Sequence, residues 1–226
     1  MDIRHKPAFD RADPEKKQRV LETGIQEFAE LGYEKANINI IAKKAGISIG
    51  LMYKYFETKE DFFVTCMDEA IDLMEDTIAR IVNSDGPVID RMKQLLLAVK
   101  ETSSGYVQFV RLYQVVTNLP ADMHPEYFAD RIESISYSAY STILREAQET
   151  GEVRGDCNTR AMAFFFDSIL MMLQFSYTND YYRRRLQVYC GDDILSDSGP
   201  LLQEIGKLFE SAFFVSHDDV IKIADR

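Results

Sequence analysis

The feature that most constrains this chain is the tetrapeptide Ala45-Gly46-Ile47-Ser48, set between two apolar-patterned runs of only seven or eight residues. Helices that short are marginal by themselves in water and survive by packing on something else. Gly46 permits the positive φ needed to reverse the chain. Ile47 is placed to plug the angle between the two helices, and Ser48 to accept from free amides at the start of the second. Ile41, Ala42 and Ala45 supply the buried face of the first. Two short helices crossing at a tight glycine turn form a helix-turn-helix, whose second helix leaves one side free to enter a DNA major groove.

The segments around this turn carry helical punctuation. Val20, Leu21, Gly24, Ile25, Phe28 and Ala29 repeat at helical spacing, with Asp13 as N-cap, Pro14 in the first turn and Gly32 as the stop. Asn37 is expected to cap the helix from Ile38 to Ala45. Ser48 caps one reaching about Phe56, and Thr58 caps a long fourth helix through Phe62, Phe63, Met67, Ala70, Met74, Ile78 and Ile81. Beyond the break at residues 83–87, helices are expected over 88–101, 104–118, 124–149, 159 to about 182, and 200–216, with polar loops at 151–156 and 190–199. No run alternates with period two. The fold class expected is all-α: an N-terminal three-helix helix-turn-helix domain followed by a helical bundle, divided as 1–60 and 61–226.

A net charge of −11 stands against nucleic-acid binding only if it is spread evenly. Residues 1–59 hold 11 basic and 9 acidic side chains, a balance of +2, and the remainder holds 15 and 28, a balance of −13. The reading head is therefore the end that phosphates tolerate. Three widely spaced cysteines argue against a disulfide framework. The dispersed histidines His5, His124 and His217 suggest no metal site, and no cofactor is expected. The polar N-terminus does not read as a signal peptide, and no membrane association is expected, which places the protein in the cytoplasm. No GxSxG, HExxH, P-loop or dinucleotide fingerprint is present, so no enzyme and no catalytic residue is expected.

The stretch RVLETGIQEFAELGYEKANINIIAKKAGISIGLMYKYFETKEDFF resembles the TetR-family DNA-binding domain. The resemblance rests on Leu21, Phe28, Gly32, Tyr33, Ile41-Ala42, Ala45-Gly46-Ile47-Ser48, Gly50, Tyr53, Tyr55-Phe56 and Lys59-Glu60, in fixed register over about residues 17–63. The string 151–156 is similar to the loop before that family's dimerisation helix. The resemblance implies that Lys17, Asn37, Asn39, Ser48, Ile49, Gly50, Leu51, Tyr53, Lys54, Tyr55 and Lys59 face DNA. It implies a homodimer on a palindromic operator, and a repressor released by a small apolar or aromatic effector. Family habit alone favours repression over activation. Ile49 and Leu51 depart from the polar residues usual there; they suit thymine methyls, with Asn39 and Lys54 as polar readers. Thr23-Gly24 replaces a small apolar pair and is expected to loosen the first helix slightly.

The run Met162 to Phe175 is apolar nearly all round, so it is buried on more than one side. In the family, the last two helices of each subunit form a four-helix dimer interface; the alternative is a monomer with an unusually apolar core. Met67, Met74, Leu96, Phe109, Tyr113, Tyr137, Tyr140, Phe166 and Leu170 are candidate ligand-lining residues. Asp167, within the apolar helix, is expected either to orient a ligand's polar group or to satisfy an internal hydrogen bond. Arg183-Arg184-Arg185 reads as a solvated helix end or an anion site. A helix-turn-helix that contacts protein instead of DNA is the remaining alternative, against which Lys54 and Lys59 beside Tyr53 argue.

Overall fold

A computed structural model describes residues 4–215. The helices are α1 (Pro7–Asp10), α2 (Pro14–Lys35), α3 (Ile38–Lys44), α4 (Ile49–Tyr55), α5 (Lys59–Val82), α6 (Val88–Gly105), α7 (Val107–Val116), α8 (Pro125–Glu149), α9 (Thr159–Thr178), α10 (Asp180–Cys190) and α11 (Gly199–Phe213), with a 3₁₀ turn at Ala121–Met123. Among the described residues the one β contact is an isolated bridge between Val153 and Phe214, and the fold is all-α as expected. His217 and the last residue of the expected terminal helix lie outside the described residues. The chain forms two compact units that alternate in sequence: residues to Met74 with Tyr106–Asp130, and Glu75–Gly105 with the segment from Arg131 onward. The functional division expected at residue 60 is thus not where the backbone clusters separate.

In the first unit the caps are made locally. The Lys16 amide donates to the Asp13 carboxylate at 3.2 Å, and Gly32 (φ 75°, ψ 167°) breaks the helical path, leaving one more turn to Lys35. Asn37 Oδ1 accepts from the Asn39 amide at 2.9 Å, and Ser48 Oγ from the Leu51 amide at 3.1 Å. Thr58 and Asp61 form a reciprocal box: Asp61 N–H donates to Thr58 Oγ1 (3.0 Å) and Thr58 N–H to Asp61 Oδ2 (3.1 Å). Arg19 Nε donates to Ala45 O at 2.9 Å, tying α2 to the turn. Lys44 pairs with Glu27, which is buried.

The core of this unit is aromatic. Phe28 meets Phe62 and Phe63 at centroid distances of 5.7 and 5.0 Å, and Phe56 meets Phe62 at 4.7 Å. Gly24 is part of that packing, which corrects the expectation that it merely loosens α2. A Cβ there would sit 2.2 Å from Phe62 Cζ and 2.9 Å from Cys66 Sγ, closer than van der Waals contact permits, so glycine lets α2 and α5 approach.

In the second unit α9 packs on α6 and α10, and α11 on α6. Phe166 contacts Tyr140 (5.4 Å) and Phe209 (5.1 Å) edge-on. The loop before α9 is anchored: Glu152 accepts from the Val88 amide at 3.1 Å, and Arg154 N–H donates to Phe213 O at 2.9 Å. By length and composition α9 passes as a membrane span, but Met162, Phe166, Leu170 and Leu173 are buried inside the protein, the pattern of a core helix.

Several helix bounds differ from expectation. The helix expected to run to about Tyr182 ends at Thr178. Asn179 leaves helical geometry (φ −122°, ψ 131°), and its side chain accepts from the Tyr181 and Tyr182 amides, starting α10 afresh. An asparagine that competes for backbone amides in this way favours a cap over a helix interior. The arginine triplet is consequently inside α10 and not at a helix end. Its members are engaged by Asp180 (2.8 Å), Asp192 (2.9 Å) and the Tyr189 ring (5.2 Å). The four-residue α1 is too short to leave a periodic signal and was not expected.

Candidate nucleic-acid interface

Sequence periodicity sorts α3 and α4 into two faces, and the structure places those faces side by side. Ile38, Ile41, Ala42, Ala45, Met52, Tyr55 and Phe56 are buried. Asn39, Ser48, Ile49, Gly50, Tyr53 and Lys54 are exposed, with Asn37 beside them. The turn between the helices has the expected geometry, with Gly46 at φ 70° and Ile47 N–H donating to Ala42 O at 3.0 Å. The outer face of α4 therefore offers a hydroxyl, an aliphatic side chain, bare backbone at Gly50, a phenol and an ammonium within two helical turns. Such a surface can read base edges and thymine methyls while pairing phosphates.

The expected contact residues do not all reach this face. Tyr55 is 5% exposed; its ring lies edge-on to Phe9 at 5.3 Å, so it is a core residue and not a backbone contact. Tyr55 follows Met52 by three residues, which puts it on the same inward side of α4 as that buried side chain. Leu51 is half-buried. The side-chain oxygens of Asn37 and Ser48 already serve as helix caps. Lys17 stands 5.2 Å over the Phe9 ring, and Lys59 stands 4.6 Å over Tyr33 while donating to Glu34 O at 3.2 Å. Partial burial pulls the Lys59 ammonium below its ordinary pKa, with Glu34 opposing that shift. These two lysines frame the reading head from anchored positions, whereas Lys54 stands free on its outer face.

One residue of this surface was missed. Ile40 is 48% exposed, and periodicity could have found it, because Ile38, Ile41, Ala42 and Ala45 facing inward leave Ile40 outside. With Ile49, exposed at 37%, it gives this surface a second exposed aliphatic side chain.

The ligand-lining candidates are divided between the two units. Met67 is buried and Met74, Phe109 and Tyr113 are half-buried in the first. In the second, Leu96, Tyr140, Phe166 and Leu170 are buried and Tyr137 is exposed, with Arg160 stacked 5.3 Å over its ring. Asp167 is half-buried there. Burial, and then the charge of Glu133, push its carboxyl up to about 6 against the opposing hydrogen bond from Ser136. Ser136 also bonds Tyr140, whose phenol is driven above its ordinary value by burial and by Asp167. Ser136 is thus shared between the Tyr140 phenol and the Asp167 carboxyl.

Residues 20–66 match the model of the bacterial regulatory proteins of the tetR family. The chain is 26% identical over 150 residues to the HTH-type transcriptional repressor DhaR of Mycobacterium sp. (strain GP1), covering 66% of this chain and 75% of that protein. Its fold is similar to a transcriptional regulator from Saccharomonospora viridis in complex with choline (TM-score 0.66, 16% identity, 90% of this chain and all of the other). It is also similar to FadR from Bacillus subtilis in complex with stearoyl-CoA (TM-score 0.64, 17% identity, 82% of this chain and 95% of that one).

Proposed function

Since the chain is a TetR-family transcriptional regulator, we propose that it is a homodimeric repressor that leaves a palindromic operator when a small apolar or aromatic effector binds. The carrying observation is the sorting of α4: Ser48, Ile49, Gly50, Tyr53 and Lys54 face outward while Met52 and Tyr55 are locked in the core. A reading head with so few contacts gains useful affinity only by engaging two half-sites together. The surface for pairing is the exposed side of α9 and α11, where Phe164, Phe165 and Leu208 stand 68%, 54% and 57% exposed. Adjacent exposed phenylalanines on a folded chain mark an interaction site.

For the effector, the proposed apolar walls are Leu96, Phe166 and Leu170, buried in the second unit, and the proposed polar handle is the half-buried Asp167. An apolar lining with one oriented polar group is the usual build of a small-molecule site. The neighbours bound to choline and to stearoyl-CoA illustrate that this fold accepts small ligands. Effector binding acts by favouring an arrangement of the dimer in which the two reading heads no longer match successive half-sites.

Selection of binding sites from a random duplex library, with sequencing of the winners, tests the DNA reading. A recurring palindrome whose affinity falls steeply with salt is the expected result. Replacing thymine by uracil in its half-site should weaken binding, because only the methyl that Ile49 contacts is lost. Failure of the folded protein to enrich any motif at low salt favours the protein-binding reading.

A further inference from the structure

The segment Arg4–Asp13 precedes the residues that match the family model, yet it is built onto the far end of α4. Phe9 is 2% exposed. Its ring lies 5.3 Å from Tyr55 and 4.8 Å from Phe56, and His5 closes over it at 5.2 Å. The Lys6 amide donates to Tyr55 O at 2.8 Å. The Lys6 ammonium donates to Tyr53 O at 3.1 Å and pairs with Glu57 at 3.0 Å. Arg4 reaches Glu60 and Asp61 at 3.8 Å. Pro7 opens the short helix that carries Phe9 inward.

A seven-residue helix has terminal carbonyls without intrahelical partners and little stability of its own. Ser48 fixes the start of α4; Lys6 and Phe9 fix its end. We infer that residues 4–13 are a clamp that sets the orientation of α4 from the C-terminal side, and that Phe9 is a positioning residue on which operator discrimination depends. The inference rests on the reading of α4 as the DNA-reading helix. Base contacts demand placement to a fraction of an ångström, whereas phosphate contacts through long flexible side chains tolerate small tilts. Because the Lys6 ammonium is held by Tyr53 O and Glu57, the clamp works through α4 and not by adding a phosphate contact.

The test compares wild-type protein, Phe9→Leu and Phe9→Ala on the selected operator and on a duplex with one mismatched half-site, across a salt series. The ratio of the two affinities should fall about threefold in F9L and about tenfold in F9A, while the salt slope stays at the wild-type value. Circular dichroism establishes that each variant is folded; if F9A is not, F9L alone decides. An unchanged affinity ratio overturns the clamp. So does a loss shared equally by operator and mismatched duplex, or a reduced salt slope, either of which makes the segment a general DNA contact. A wild-type protein that selects no operator refutes the DNA reading itself, a different result from a wild type that discriminates and variants that do so equally well.

Discussion

Of the two units, the first covers its large apolar side chains more completely than the second. Around the helix-turn-helix the caps of α2, α3, α4 and α5 are satisfied by their own neighbours, and the large aromatics Phe9, Phe28, Phe56, Phe62 and Phe63 are buried. The second unit exposes Phe164, Phe165, Tyr181, Val188, Tyr189 and Leu208 at 54% or more, against at most 51% (Tyr106) for a large apolar residue of the first, and among the described residues it buries Arg91 Nε, Ser103 Oγ, Tyr177 Oη and Ser198 Oγ without hydrogen-bond partners, against Gln108 Oε1 in the first. It also holds the half-buried Asp167. Exposed apolar faces and unsatisfied interior polar groups each cost free energy. Under the proposed function, a small reading head has to be rigid before it meets DNA, while the second unit keeps surface in reserve for a second copy and an effector.

The strongest way to break that contrast is to make the exposed face polar. Phe164→Asp combined with Phe165→Asp should convert the proposed dimer to a folded monomer in sedimentation equilibrium and lower operator affinity by about a hundredfold or more, as the linked half-sites separate. A variant that stays dimeric would show that this face pairs with nothing.

Gly24→Ala probes the first unit. Helix propensity alone favours alanine by about 1 kcal/mol, but the added Cβ collides with Phe62. The expected outcome is a net destabilisation of about 1–3 kcal/mol, read from thermal denaturation. A stabilised variant would mean that α2 and α5 have slack.

Asp167→Asn sharpens the comparison from the other side. The folded-state carboxyl is raised from 3.8 to about 6, so the native state holds its proton more tightly than the unfolded chain does. Stability is then greatest below the unfolded value and declines as pH rises from about 4 to about 6. The neutral amide removes that decline. It should raise stability by roughly 1–2 kcal/mol at pH 8 and leave it nearly unchanged at pH 4. Parallel pH–stability curves for the two proteins would rule out the buried-carboxyl account.

The smallest expected effect is local. Ser48→Ala removes the α4 cap and should cost about 1 kcal/mol, with glycine at the same position costing only a few tenths. If urea denaturation finds alanine and glycine equivalent, the Leu51 amide is satisfied by water instead.

Much of the reading head was legible before any coordinates, because its rules act within four residues. Asp13, Asn37, Ser48 and Thr58 cap the amides two or three positions ahead of them, and Gly32 and Gly46 take the positive φ that only a residue without a Cβ adopts readily. The outward faces of α3 and α4 follow from helical periodicity. The family resemblance placed Tyr55 on the DNA side, and periodicity ran α9 through Asn179, since neither tells a tyrosine which way to face or an asparagine whether to cap.

The sequence by itself determined the all-helical class, the order of the long helices and the helix-turn-helix, since caps, glycine turns and periodicity are properties of neighbouring residues. Only the tertiary structure decided that Gly24 is a contact between helices, that Glu27 is buried against Lys44, that Phe9 sits beneath the end of α4, and that Phe164 and Phe165 stand outside while Phe166 is inside. Each of these depends on partners tens of residues away, and burial is set by the three-dimensional neighbourhood a chain reaches and not by the residues beside it.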